Sequence, residues 1–224
     1  MYRYWSVSRA VRYLISLEKS YKSAIDSGYA NLTALARLLK PSVSALLDQD
    51  VKVSTIVTAL KRMRDHIQLR RLEAAQVIAR SKLVARTGVA KIILKRNRTS
   101  LRIARDLALE AKGFYQILDG ISSITLICSS DQLKEVRKRF PRPLIISETS
   151  SIVALIIVSP PAIERTYGVV SHLLEWLASR EINVEEVISC YKDTIILVAT
   201  EYGGLAFDTL NELIQTCRKI VAGS

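Results

Sequence analysis

The sequence predicts an α+β chain, with a helical front followed by strands and helices in a repeated order. Three observations predict it. Apolar residues recur at helical spacing through the first seventy or so positions, about the length of a small domain. Behind them, short β-branched runs alternate with amphipathic segments. That order, strand, helix, strand, strand, helix, is read twice.

The second reading of the order is the clearer. Ile152-Val153-Ala154-Leu155-Ile156-Ile157-Val158 is an unbroken apolar run, and a loop at 159–166 leads to Tyr167-Gly168. Val169, Val170, Leu173, Leu174, Leu177 and Ala178 then form one stripe on a helix over 169–180. Strand-like runs follow at 184–190 and 194–200, and a last amphipathic segment spans 205–221. Ile195, Ile196, Leu197 and Val198 suit a short buried helix as well as a strand; β-branching and the flanking Asp193 favour the strand. Strands and returning helices in this order make a split β-α-β unit, a ferredoxin-like sandwich.

Tyr167-Gly168-Val169-Val170, Leu177-Ala178-Ser179-Arg180-Glu181-Ile182-Asn183-Val184 and Ile188-Ser189-Cys190-Tyr191-Lys192-Asp193-Thr194-Ile195 resemble an ACT domain of the aspartate-kinase type. The similarity covers roughly sixty residues, a small module. One departure is Tyr167-Gly168 where Pro-Gly is commoner. The resemblance implies a regulatory module that binds a small molecule, an amino acid foremost, between paired copies, and a homodimer. By residue match the ligand set is Tyr167, Gly168 and Val169 with Asn183 and Val184. Glycine at 168 would let backbone N–H groups approach a carboxylate at the helix start. Gly168 serves equally well as a tight turn, and Asn183 as a left-handed helix C-cap.

The earlier copy reads as Val89-Ala90-Lys91-Ile92-Ile93-Leu94, a strand, then a helix over 100–112 carrying Leu101, Ala104, Leu107, Ala108 and Ala111 on one face. Runs at 114–118 and 121–128 flank Asp119-Gly120, a hairpin signal. A helix over 131–140, capped by Asp131, and a strand at 144–147 complete it. Arg98-Thr99-Ser100 stands where the other copy has glycine, so this copy is a degenerate, non-binding partner by resemblance. The second copy has no evident last strand, and a neighbouring copy or another subunit is expected to supply one. The expected organisation is 1–70 helical, 71–88 a basic connector, 89–149 a degenerate ACT-like domain and 150–224 an ACT-like domain. A basic two-stranded wing from 82–86 and 89–95, turning at Gly88, is the alternative to opening the earlier copy at Val89.

In the front part a helix is expected over 6–25, capped by Ser6 and apolar through Val7, Val11, Leu14, Ile15 and Ile25. Asn31 caps a helix over 32–39, which Pro41 breaks and follows with a short helix to Leu47. Ser54 caps the next helix, which buries Ile56, Val57, Leu60 and Ile67. Ser54, Thr55, Thr58, Lys61, Arg62 and Arg64 are left outward, a mix suited to the major groove of DNA. Asn31-Leu32-Thr33-Ala34-Leu35-Ala36-Arg37 with Ser54-Thr55-Ile56-Val57-Thr58-Ala59-Leu60-Lys61-Arg62 resembles the helix-turn-helix-like front of uncharacterised prokaryotic, largely archaeal, proteins carrying ACT-like domains. The join at 40–53 is longer than the three or four residues of a DNA-reading turn, so a plain amphipathic helix in a bundle competes equally.

Charge divides the chain. Residues 1–113 hold 23 Lys and Arg against 8 Asp and Glu, and residues 114–224 hold 10 against 13; the whole chain carries +12. A basic front suits a polyanion, DNA or RNA, and also suits a merely solvated surface. The three cysteines, Cys128, Cys190 and Cys217, form no C-x-x-C pair, and Cys128 and Cys190 are expected as small buried thiols. Phosphate-binding glycine motifs are absent, His66 and His172 have no nearby partner ligand, and Glu181, Glu185 and Glu186 read as solvated. Neither a cofactor, a metal nor catalysis is expected. No apolar run spans a membrane, and Met1-Tyr2-Arg3-Tyr4-Trp5 lacks a signal-peptide core, so a cytoplasmic location is expected. The functional expectation is a ligand-responsive transcriptional regulator; the alternative is a module that docks on a metabolic enzyme without DNA.

Overall fold

The computed structural model describes residues 5–111 and 113–223, without the side chain of Lys19. Readings that rest on Met1, Tyr2, Arg3, Tyr4, Lys112 or Ser224 lie outside these. The chain forms two compact units, Met1–Ala74 and Ala75–Ser224.

The first unit is helical: α1 (Val7–Leu17), α2 (Lys19–Asp26), α3 (Leu32–Leu47) and the start of α4 (Val53–Ala79). Ser6 caps α1, its Oγ accepting from the Arg9 N–H at 3.2 Å. The helix expected over 6–25 is two helices, because Glu18 is extended (φ −125°, ψ 104°). The Asn31 Oδ1 accepts from both Thr33 and Ala34 at 3.1 Å. Pro41 does not break α3. Proline inside a helix costs roughly 3 kcal/mol, but Pro41 is exposed while Leu39, Val43 and Leu47 continue one buried stripe past it. Packing of that stripe outweighs the lost hydrogen bond. The join to α4 shrinks accordingly to 48–52. Ser54 is not a cap either: the Lys52 carbonyl accepts from Thr55 and Ile56, which places Ser54 in the first turn. Ile15, Ile25, Ile56 and Leu60 are fully buried at the centre of this unit.

The second unit contains β1 (Lys82–Lys95), α5 (Arg98–Glu110), β2 (Tyr115–Asp119), β3 (Ser123–Ser129), α6 (Leu133–Lys138), β4 (Ile145–Val158), α7 (Val169–Ala178), β5 (Glu186–Cys190), β6 (Asp193–Ala199) and α8 (Gly203–Ala222). Among the described residues its sheet is β2-β3-β1-β4-β6-β5, antiparallel throughout. β1 and β4 are long central strands that each serve two partners. Residues 89–95 of β1 pair with β3, and residues 152–158 of β4 pair with β6. Residues 82–86 pair with 154–158, Lys82 opposite Val158 and Arg86 opposite Ala154.

That last ladder decides between two pairs of alternatives. The missing strand beside 152–158 comes from upstream in this chain, from the strand that continues into the earlier copy, so of the two expected sources it is the neighbouring copy and not another subunit. Nor do 82–86 and 89–95 turn back as a wing; they are one strand with a bulge between Arg86 and Val89, where Gly88 takes φ +65°. The stretch 71–88 thus holds the end of α4 and the first half of β1. Signals for these long strands were hidden by their polar middles, Arg86-Thr87-Gly88 and Glu148-Thr149-Ser150-Ser151. The strand expected at 144–147 is simply the start of β4. Asp131 does not cap α6, whose N-cap is Gln132 without a side-chain bond.

On one face, Ala90, Ile92 and Leu94 pack with Ile124, Leu126 and Cys128 against Ala104 and Leu107 of α5, Val136 of α6 and Phe140 just beyond it. On the other lie Val89, Ile127, Ile152, Ala154, Ile195 and Leu197. Phe114 and Leu118 from one sheet edge and Ile188 from the opposite edge pack against this same cluster. The sheet is therefore curled around it. The Lys91 Nζ lies 2.7 Å from Glu185 Oε2, just ahead of β5. In a flat sheet those positions would be three strand spacings, about 14 Å, apart. Glu185, expected to be solvated, is instead a half-buried partner, because Lys91 would otherwise be a lone cation on an apolar face. Arg86 lies 5.1 Å from the Phe114 ring centroid, on the first half of the same strand.

Helix α7 ends in a Schellman motif. The Ile182 N–H donates to the Leu177 carbonyl and the Glu181 N–H to Ala178, with Glu181 at φ 58°. The left-handed residue is thus Glu181, and Asn183 is not a left-handed cap. A non-glycine residue is disfavoured there, so Glu181→Gly is expected to raise unfolding free energy by about 0.5–1 kcal/mol in urea melts.

Candidate functional site

Helix α7 begins at a turn with no side-chain cap. Residues 161–165 form a short 3-10 turn, and Thr166 Oγ1 donates to the Ala162 carbonyl at 2.8 Å. Gly168 follows at φ +86°, the left-handed conformation that glycine adopts without penalty. A Cβ there would meet the His172 ring at 3.5 Å, an ordinary contact, so backbone conformation and not space selects glycine. The Gly168 carbonyl is heavily used: it accepts from the His172 N–H at 2.9 Å, the Ser171 hydroxyl at 3.0 Å and His172 Nδ1 at 2.7 Å. His172 is thereby fixed against the turn, with the proton on Nδ1. The N–H groups of the first turn sit at the positive end of the helix dipole, and the glycine N-cap has no side-chain oxygen to offer them. Tyr167 is 70% exposed and Val169 is buried, so the turn presents a ring and backbone donors over an apolar anchor.

The remaining expected ligand residues are elsewhere. Asn183 is exposed and Val184 half-buried, both beyond the C-terminal end of α7. That helix is ten residues long, about 15 Å. The sheet gives the same answer: Val158, which leads to the Gly168 turn, pairs with Asp193, whereas Glu185 bonds Leu197 near the far end of the ladder. One chain does not bring Tyr167, Gly168 and Val169 together with Asn183 and Val184.

Along the first half of α4, Ser54, Thr55, Thr58, Lys61 and Arg62 are exposed, while Arg64 is half-buried and paired with Asp65 at 3.2 Å. Thr58 spends its hydroxyl on the Ser54 carbonyl at 3.0 Å. Ile56 and Leu60 are buried behind this face.

The cysteines carry no paired chemistry. Cys128 is buried and burial pushes its thiol up to about 11, with Asp131 adding to the rise. It stays protonated at neutral pH and is a poor nucleophile. Cys190, expected to be buried, is exposed, because β5 is an edge strand with that side to solvent. Among the described residues no group of three or more His, Cys, Asp or Glu converges as metal ligands. Among them, too, no helix is long and apolar enough to cross a membrane. The Lys91–Glu185 pair escaped sequence reasoning, although a single cation inside Val89–Leu94 was a signal that a partner must exist.

No family model matches the sequence, and no curated protein matches it. Solved structures do match in fold. The regulatory subunit of aspartate kinase from Thermus thermophilus aligns with 58% of this chain and 95% of its own, at 16% identity and a TM-score of 0.50. The corresponding subunit from Thermus flavus covers 58% and 95%, at 15% identity and 0.51. A structure of aspartokinase alpha and beta subunits covers 59% and 97%, at 13% identity and 0.51. The sheet-bearing region of the chain therefore has an ACT-like fold, similar to that of aspartate-kinase regulatory subunits.

Proposed function

We propose that this chain is a ligand-responsive regulatory protein. Its curled sheet is read as two ACT-like halves, 89–149 and 150–224, the second borrowing its last strand from residues 82–86. The ligand is a small molecule with a carboxylate, an amino acid foremost, received by the first-turn N–H groups of α7. The observation that carries this reading is the uncapped α7 start behind a left-handed Gly168. Because Asn183 and Val184 lie at the other end of α7, a site using both sets takes one from each of two copies, and a homodimer follows.

A thermal-shift screen against the twenty amino acids tests the reading. A ligand at a hundred times its dissociation constant stabilises by about 2.7 kcal/mol, several degrees in melting temperature. Gly168→Val, which forces the turn out of its left-handed conformation, is expected to abolish that shift. If none of the twenty shifts the melt, the amino-acid reading fails.

A second reading concerns the helical unit. The exposed hydroxyls and cations of α4 (Ser54, Thr55, Thr58, Lys61, Arg62, with Arg64) support DNA contact, and with it a transcriptional regulator. Binding to duplex DNA that weakens steeply with salt and prefers some sequences supports it. A flat response favours a docking module for another protein.

A further inference from the structure

A second concave site lies wholly within the helical unit. Its cavity is about 440 Å³ and is lined by α1, α2 and α4. Arg12 of α1, Lys22 of α2, and Arg62, His66 and Arg70 of α4 surround it, and no carboxylate residue is among its lining. Arg62, His66 and Arg70 are spaced at four-residue intervals, so they rise along one face of α4 at about 6 Å per step. The floor is apolar: Val11 is 1% exposed and Ala59 is 7% exposed. Lys22 is already held by Asp26 at 3.2 Å, but Arg12 and Arg62 have no ion-pair partner among the described residues. A second basic hollow, in the other unit, is lined by Lys134, Arg137, Lys138 and Arg142, of which Lys134 and Arg142 likewise have no ion-pair partner among the described residues. There Arg137 pairs with Glu148 at 3.1 Å and Lys138 with Glu135 at 2.7 Å.

Like charges gathered around one hollow repel each other and destabilise the unit unless something neutralises them. A single carboxylate would meet one of them. A ligand with several negative charges close together meets Arg12 and Arg62 at once, and guanidinium groups bind phosphate oxygens in two-pronged fashion. The volume is within the range of small-ligand sites, and the apolar floor leaves room for an uncharged body.

We propose that this cavity binds adjacent phosphate groups. They are presented by a free polyphosphate-bearing small molecule or by a nucleic-acid backbone laid into the hollow. The site is independent of the α7 turn and stands if the amino-acid reading fails; only its nucleic-acid arm shares Arg62 with the DNA reading of α4.

The test is calorimetric titration of the full chain, at about 50 mM salt, where exposed charges are weakly screened, with inorganic tripolyphosphate, ATP and a short DNA duplex. Tripolyphosphate is expected to bind, with Arg12→Gln and Arg62→Gln each weakening it about tenfold. Both side chains are exposed, so the variants keep the fold, as their melting temperatures would check. Arg142→Gln, in the other basic hollow, is expected to leave affinity unchanged. A perturbed His66 ring resonance on titration would place the ligand directly. Tighter binding of ATP than of duplex identifies a free ligand; duplex binding that tripolyphosphate displaces identifies the backbone. No binding of tripolyphosphate, or binding indifferent to Arg12→Gln and Arg62→Gln, overturns the proposal.

Discussion

Glu185→Ala is expected to lower the unfolding free energy of the sheet-bearing unit by about 2–3 kcal/mol. The Lys91 side chain is only 10% exposed and that of Glu185 26%. Removing the carboxylate strands an ammonium among Val89, Ile127 and Ile152, and breaking a buried pair costs roughly 3–5 kcal/mol when burial is complete. Partial exposure of Glu185 trims that. Replacing both charges with apolar groups avoids the stranded ion, so Lys91→Met with Glu185→Leu is expected to recover most of the loss. Urea denaturation of Glu185→Ala and of the double variant measures this. A double variant no better than Glu185→Ala would mean that packing around the aliphatic stems, and not charge, holds the curl.

Gly203→Ala should weaken the same unit by about 1–3 kcal/mol, the usual cost of overpacking a well-filled core. Gly203 begins α8, and a Cβ there would come 2.7 Å from Cγ2 and 3.1 Å from Cβ of Val153. Val153 is β-branched and buried, so it cannot swing aside easily. The glycine thus sets how closely α8 approaches β4. Shortening the obstacle, Val153→Ala, leaves its own cavity but removes the clash. The double variant is expected to be more stable than the sum of the two single losses, a coupling of 0.5 kcal/mol or more for groups in contact.

Much of the fold was legible because it rests on local patterns. The stripe Val169, Leu173 and Leu177 announced α7, and its buried members are those. The β-branched run Ile195, Ile196 with Leu197 and Val198 announced β6. What failed was non-local. Nothing in Pro41 itself says that Leu39, Val43 and Leu47 will hold a helix through it. Nothing in residues 82–86 says that they pair with residues 154–158. The turn at Gly168 was legible because a left-handed conformation has a residue signature. The separation of Gly168 from Asn183 was not, since it depends on the length of α7 and the register of β4 on β6. The cavity's basic residues are scattered over three helices, so no local pattern in the sequence brings them together.

The pairing of residues 82–86 with β4 bears on how the protein is made. During synthesis the first half of β1 leaves the ribosome well before its partner does. Lys82 and Val158 are separated by roughly seventy-five residues, which at about 5–20 residues per second is on the order of 4–15 s. Throughout that interval a nascent strand carrying Leu83 and Val84 has no native partner, and Lys82 and Arg86 at its ends are the only charges that keep it from sticking to other chains.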